Sequence, residues 1–222
     1  MSSDLNKYEL RGNAVVLALF FVVVHLAYFK TWQAGFVTDF TGLQERLDGA
    51  PFRDFLHCFG FPALHQVTNF FLYLFYKLFD TNPLPWYLIY TSLHVVNGWL
   101  GYRLAKKVFE AASSAQTDKL AVNISIPAFA TALLFLLSPY NAEAVIWKVC
   151  FNFLFCTAMM LSSLLFLVKY LEKEKNIDLL WFNLFFVIAL FTFELALAVP
   201  VMAVAFAYWW PSRESRFRSW EL

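Results

Sequence analysis

Residues 13–29 read NAVVLALFFVVVHLAYF, a run without a single Asp, Glu, Lys or Arg. A membrane-spanning helix needs about 20 mainly apolar residues, and this run follows the polar start MSSDLNKYELR. A secretory signal is the competing reading. The segment that follows, KTWQAGF, is bulky and offers no small-x-small cleavage site, so the run reads as a retained first span. The rest of the chain agrees with it. Of 222 residues, 60% are hydrophobic and 20% aromatic, with 27 Phe, and only 15% are charged. A soluble domain carries roughly 25% charged residues, so there is too little charge here to cover a soluble surface. A cytosolic globule and a disordered tail are excluded. A net charge of +1 provides no broad basic field for nucleic acid.

Hydropathy then places five further spans: about Pro85 to Leu104, Ile124 to Leu137, Ala144 to Tyr170, Ile177 to Phe193 and Leu195 to Trp210. Ser138-Pro139 stops the third, and Trp209 and Trp210 anchor the last at an interface. Charge supports this count. With the N-terminus inside, the inner segments hold Lys7, Arg11, Arg103, Lys106, Lys107, Lys119, Lys169, Lys173, Lys175, Arg213, Arg216 and Arg218. Of the 17 Lys and Arg, only Lys30, Arg46, Arg53, Lys77 and Lys148 lie elsewhere. That asymmetry predicts both termini in the cytoplasm, and it leaves the sequon Asn123-Ile124-Ser125 on the cytoplasmic side. Val67 to Phe79 is apolar but too short to cross, and reads as an interfacial or re-entrant helix on the outer surface. The expected fold is all-α: a polytopic integral membrane protein with about six transmembrane helices plus an outer interfacial helix. Residues 1–222 form a single transmembrane domain, with an outer loop over 30–80 and a cytoplasmic tail over 211–222.

The cysteines Cys58, Cys150 and Cys156 show no paired or zinc-type spacing. No phosphate-cradling, dinucleotide or zinc-protease motif is present. The outer loop holds Asp39, Glu45, Arg46, Asp48, Arg53, Asp54, His57 and His65.

Three further stretches matter together. They are Asn82-Pro83-Leu84-Pro85-Trp86-Tyr87 continuing through Ser92-Leu93-His94-Val95-Val96-Asn97, then Ser138-Pro139-Tyr140-Asn141-Ala142-Glu143-Ala144-Val145-Ile146-Trp147, then Phe193-Glu194-Leu195-Ala196-Leu197-Ala198-Val199-Pro200. With an acidic residue soon after the first span, their order resembles the GT-C class of membrane glycosyltransferases. Within it the chain is most similar to the N-terminal module of protein O-mannosyltransferase-like proteins, including those linked to tetratricopeptide repeats. The resemblance covers most of residues 30–200. The chain departs from the pattern where Phe40 replaces a second acid after Asp39, where Cys150-Phe151-Asn152-Phe153 replaces a Gly-Arg-x-Asp-like element, and where Phe193 replaces a lysine.

The resemblance implies transfer of a sugar, such as mannose, from a polyprenyl-phosphate donor at the outer membrane face. The lipid-phosphate sugar is then a substrate, no resident cofactor is required, and a divalent metal stays open. Such transfer needs a base for the acceptor hydroxyl and positive charge for the leaving phosphate. Asp39 is the candidate catalytic base; as a plain loop residue it would cap a helix starting near Thr41. Glu143, Lys148, Glu194 and His94 are the candidate donor-binding residues. Lys148 either snorkels outward or meets the donor phosphate, and Lys148 or Arg53 is the expected partner of Glu194. His94 either positions the donor or bonds Asn97, Ser92 or Thr91 between helices, and His25 is read as a helix-packing residue. The Phe-rich surface suits lipid, a lipid groove or a membrane-protein partner alike. The alternative function is a non-catalytic GT-C-derived subunit of a larger membrane complex. A transporter ranks below both, because no internal repeat is visible.

Overall fold

A computed structural model describes residues 2–33, 36, 38–49, 51–56, 65–114 and 124–210, with side chains from residue 12 onward apart from 38, 39 and 114. His57, Cys58, Lys119, Asn123 and the expected tail over 211–222 lie outside the described residues. Every regular element within them is helical: α1 (Ser2–Tyr28), α2 (Thr38–Gly49), α3 (Phe52–Phe55), α4 (Gln66–Phe79), α5 (Pro83–Ser114), α6 (Ser125–Leu137), α7 (Ala142–Ile146), α8 (Phe151–Lys173), α9 (Asn176–Leu190) and α10 (Ala198–Trp209).

The 22-residue segment Gly12–Gln33 and the 26-residue segment Lys148–Lys173 are long and apolar enough to cross a membrane. α6 and the segment Pro139–Ile146 make a third if their 49° bend is counted within one span. These helices fit an integral membrane protein. At 1.5 Å per residue, the first segment is about 33 Å long, enough for the hydrocarbon core.

α1 divides its apolar residues between two environments. Phe20, Val24 and Tyr28, four residues apart, are buried where α1 meets α5 and α6. Val15, Leu19, Val22 and Leu26 stay exposed, as a lipid-facing stripe requires.

α5 has a different composition for a physical reason. It packs against α1, α6 and α8, and its Thr91, His94 and Asn97 are fully buried. A helix sheathed by other helices can carry polar residues, which tie it to its neighbours. Gly98 permits the closest approach: a Cβ there would lie 2.6–2.7 Å from three side-chain atoms of Leu136 on α6.

The expected fourth span begins too early. Residues 144–146 belong to α7; Trp147 takes an extended conformation (ψ 120°), a short 3-10 turn covers Lys148–Cys150, and α8 starts at Phe151. The break is legible only as a lone lysine in an apolar run. α8 then pairs along α9, with the reversal made at Glu174 in the left-handed region (φ 55°). α9 has 15 residues and α10 has 12, both shorter than a full span.

The expected interfacial helix is α4, an amphipathic 14-residue helix. An aromatic cluster joins the α2–α4 region to the bundle. Phe40 packs edge-on to Trp86 (5.5 Å between centroids), Phe75 packs on both Trp86 (5.8 Å) and Phe151 (5.3 Å), and Phe71 contacts Phe155 (5.1 Å). Much of the phenylalanine content is therefore core, while Phe21, Phe70 and Phe153 remain exposed.

Candidate functional site

The break between α7 and α8 turns Lys148 inward. Its side chain is only 3% exposed, so it does not snorkel outward. Its Nζ sits 5.2 Å from the centre of the Tyr90 ring, a cation–π arrangement, while the Tyr90 hydroxyl donates to the Lys148 carbonyl. No carboxylate among the described residues lies within ion-pair distance of this lysine. A buried ammonium with no carboxylate beside it is costly, which makes Lys148, the first residue of the apolar segment Lys148–Lys173, a candidate functional position.

α2 packs against the Lys148–Cys150 turn. Asp39 lies in the first turn of α2, and its side chain is outside the described residues; the α2 residue that lines a cavity with Val149 of that turn is Leu43. The cap expected near Thr41 is moved, since α2 starts at Thr38.

A cavity of about 250 Å3 opens between α2, α4 and the start of α8, lined by Leu43, His65, Thr68, Asn69, Leu72, Val149 and Asn152. Its polar groups are differently engaged. The Thr68 hydroxyl donates to the Thr192 carbonyl at 2.9 Å, and Asn69 Nδ2 to the Leu56 carbonyl at 3.0 Å. Asn152 Oδ1 is buried with no hydrogen-bond partner among the described residues, and an amide oxygen is an acceptor. The position had a sequence signal, an amide within the aromatic run Cys150-Phe151-Asn152-Phe153.

Across α4 from this cavity runs an apolar groove of about 500 Å3, lined by Leu56, Gln66, Val67, Phe70, Phe71, Val187, Ile188 and Phe191. His65 and Thr68 on the cavity side and Gln66 and Val67 on the groove side are consecutive in sequence. A mainly apolar recess edged by four polar side chains and an apolar trough thus share one helix start.

Glu194 closes this region from the α9–α10 side. Its partner is neither Lys148 nor Arg53: His65 Nε2 donates to Glu194 Oε2 at 2.9 Å. The carboxyl is held below its ordinary range by its own backbone amide, and next by the His65 ring.

The other two sequence candidates lie apart. Glu143 is exposed on α7, with no ion pair among the described residues. His94 is fully buried in α5 and donates from Nε2 to the Leu136 carbonyl at 3.0 Å, not to Asn97, Ser92 or Thr91. Asn97 Nδ2 donates in turn to the Leu154 carbonyl at 2.9 Å. Both residues join α5 to its neighbours. His25 bonds the Phe21 carbonyl at 2.8 Å and Thr91 at 3.2 Å, as a packing residue does. Among the described residues no three His, Cys, Asp or Glu converge as metal ligands. Cys150 and Cys156 are buried and unbridged.

Compared with known proteins, the chain matches no family model, no curated protein and no solved structure.

Proposed function

We propose that this chain is a GT-C-like membrane module that binds a polyprenyl-phosphate sugar and transfers the sugar to an acceptor at the outer membrane face. The observation that carries the reading is the cavity edged by His65, Thr68, Asn69 and Asn152 beside the apolar groove along α4 and α9. Drug-sized pockets run to about 300–1,000 Å3, so the smaller cavity suits a headgroup and the groove suits its hydrocarbon chain. Lys148, buried one residue before the cavity-lining Val149 though not itself in the lining, is the cation we propose for the lipid phosphate.

In this reading the Asp39 carboxylate takes the proton of the acceptor hydroxyl. The acceptor oxygen bonds the anomeric carbon as the bond from that carbon to the phosphate oxygen breaks. Polyprenyl phosphate leaves with the electron pair, and Lys148 balances its charge. Asn152 Oδ1 accepts from a sugar hydroxyl. Glu194 positions His65 on the cavity wall rather than meeting the donor. The topology belonging to this reading has six spans, α4 on the outer surface and both termini in the cytoplasm.

The test is transfer of radiolabelled sugar from polyprenyl-phosphate donors to a crude membrane acceptor, comparing the wild type with Asp39→Asn. Transfer that disappears in the variant supports the transferase and its base. Transfer unaffected by the change removes Asp39 from that role. No transfer, with co-purification of a defined membrane complex, favours the non-catalytic subunit.

A further inference from the structure

A second polar cleft lies at the other end of α8. It is bounded by Asn13 of α1, by Arg103, Lys106, Lys107 and Glu110 of α5, and by Leu165 and Lys169 of α8. Lys169 is about 27 Å along the helix from Phe151, which separates this cleft from the Lys148 turn.

The cations of the cleft are unevenly neutralised. Lys107 lies 3.0 Å from Glu172 and 3.7 Å from Glu110, and Lys106 lies 3.9 Å from Glu110. Arg103 and Lys169 have no carboxylate within ion-pair distance among the described residues. Each rests on an aromatic ring instead: the Arg103 guanidinium 4.9 Å from the Trp99 ring centre, and Lys169 Nζ 4.2 Å from that of Phe166. These rings hold the cations in place; Asp178 acts on Lys169 from beyond ion-pair distance, and neither cation has an ion pair among the described residues. The cleft holds about 70 Å3; a water occupies roughly 10–15 Å3 on that measure, so one tetrahedral anion fits. Leu17 and Phe21, four and eight residues on from Asn13 along α1, are exposed and continue as apolar surface from the cleft.

We propose that the cleft between α1, α5 and α8 binds a phosphate-bearing anion, with Arg103 and Lys169 as its main donors. In a membrane the source is the phosphodiester headgroup of an anionic lipid whose chains lie along exposed α1. Arg supplies a planar fork that matches phosphate, and Lys a mobile point charge. Basic pockets between helices are suited to such headgroups.

The test titrates short-chain phosphatidylglycerol, the matching phosphatidylcholine and inorganic phosphate separately into the detergent-solubilised full chain, following its melting temperature. Phosphatidylglycerol is expected to raise the melting temperature and phosphatidylcholine to leave it unchanged. Arg103→Gln or Lys169→Gln should each weaken the apparent affinity by about tenfold, as loss of one charge-assisted hydrogen bond does. The double variant should not respond. Arg103→Lys keeps the charge and retains most of the response, so lost binding is separable from lost folding. A response to phosphatidylglycerol but not to phosphate assigns the site to a lipid headgroup; an equal response to both assigns it to the free anion. Lys175→Gln, at the same end but exposed and off the cleft, should behave as wild type. An undiminished response in the double variant, an equal loss in Lys175→Gln, or no response by the wild type to either anion would overturn the proposal.

Discussion

His65 and Glu194 stand 129 residues apart in sequence and share a 2.9 Å hydrogen bond that fastens the start of α4 to the α9–α10 turn. Two further bonds lie beside it: the Val67 amide to the Phe191 carbonyl at 3.0 Å, and the Thr68 hydroxyl to the Thr192 carbonyl at 2.9 Å. The outer wall of the cavity and the floor of the apolar groove are therefore one mechanical unit.

The sign of its pH dependence follows from the Glu194 carboxyl, which is held below its ordinary 4.5 by its own amide and by His65. A lowered folded-state value favours the folded state above the ordinary value. The contribution is complete above pH 4.5 and fades as pH falls through the lower folded value. Glu194→Gln should thus melt below wild type at neutral pH and converge with it in acid. Melting curves of both proteins across that range are the check. A gap that persists unchanged into acid contradicts the linkage.

A second titration lies at α2. The Tyr76 hydroxyl donates to Asp48 Oδ1 at 2.6 Å, and its pKa is pushed up to about 12, first by that bond to the carboxylate and then by burial. A raised folded-state value favours folding while the phenol stays protonated. The contribution is full below pH 10 and is lost as pH rises from 10 to about 12. Tyr76→Phe should cost about 1 kcal/mol at neutral pH and nothing at the alkaline end. Chemical unfolding of the two proteins at neutral and alkaline pH measures this.

Gly98 sets the contact of α5 with α6. Its added Cβ would sit 2.6 Å from Leu136 Cγ and Cδ2, and Leu136 is fully buried while its carbonyl holds His94. Gly98→Ala should destabilise by about 1–3 kcal/mol through overpacking. Combining it with Leu136→Ala should cost less than the sum of the two single changes. Additive losses by thermal or detergent unfolding would contradict the close approach.

Asn152 puts binding and stability in opposition. Its buried Oδ1 has no partner among the described residues, and such an atom costs about 1–3 kcal/mol. Asn152→Leu should raise the melting temperature of the ligand-free chain and weaken binding of a sugar-bearing lipid. A variant that gains stability and binds equally well would remove Asn152 from the site.

Much of this architecture was readable from residue order alone. The first apolar run lies within α1, which starts eleven residues earlier at Ser2; α6 ends at Leu137, just before the expected stop at Ser138-Pro139; and the short helix expected over Val67 to Phe79 is α4, from Gln66 to Phe79. Local hydropathy specifies such features, because a helix satisfies its own backbone. The site was less legible for a physical reason. Lys148 faces inward because the chain breaks at Trp147, and its direction depends on Tyr90, 58 residues away. Glu194 finds His65 rather than Lys148 or Arg53 through a pairing across the whole fold. His94 was visible as a buried polar residue, but its partner is a backbone carbonyl, which no side-chain pattern announces.

We propose that a lipid phosphate binds beside Lys148. The most direct measurement compares binding of a polyprenyl phosphate with that of the neutral polyprenol, using the wild type, Lys148→Met and Lys148→Arg in matched nanodiscs. The account predicts that the wild type prefers the phosphate by about tenfold or more, as a charge-assisted contact implies. The preference should collapse in Lys148→Met and survive in Lys148→Arg, with both variants folded. An undiminished preference for the phosphate in Lys148→Met, or no preference in the wild type, would contradict it.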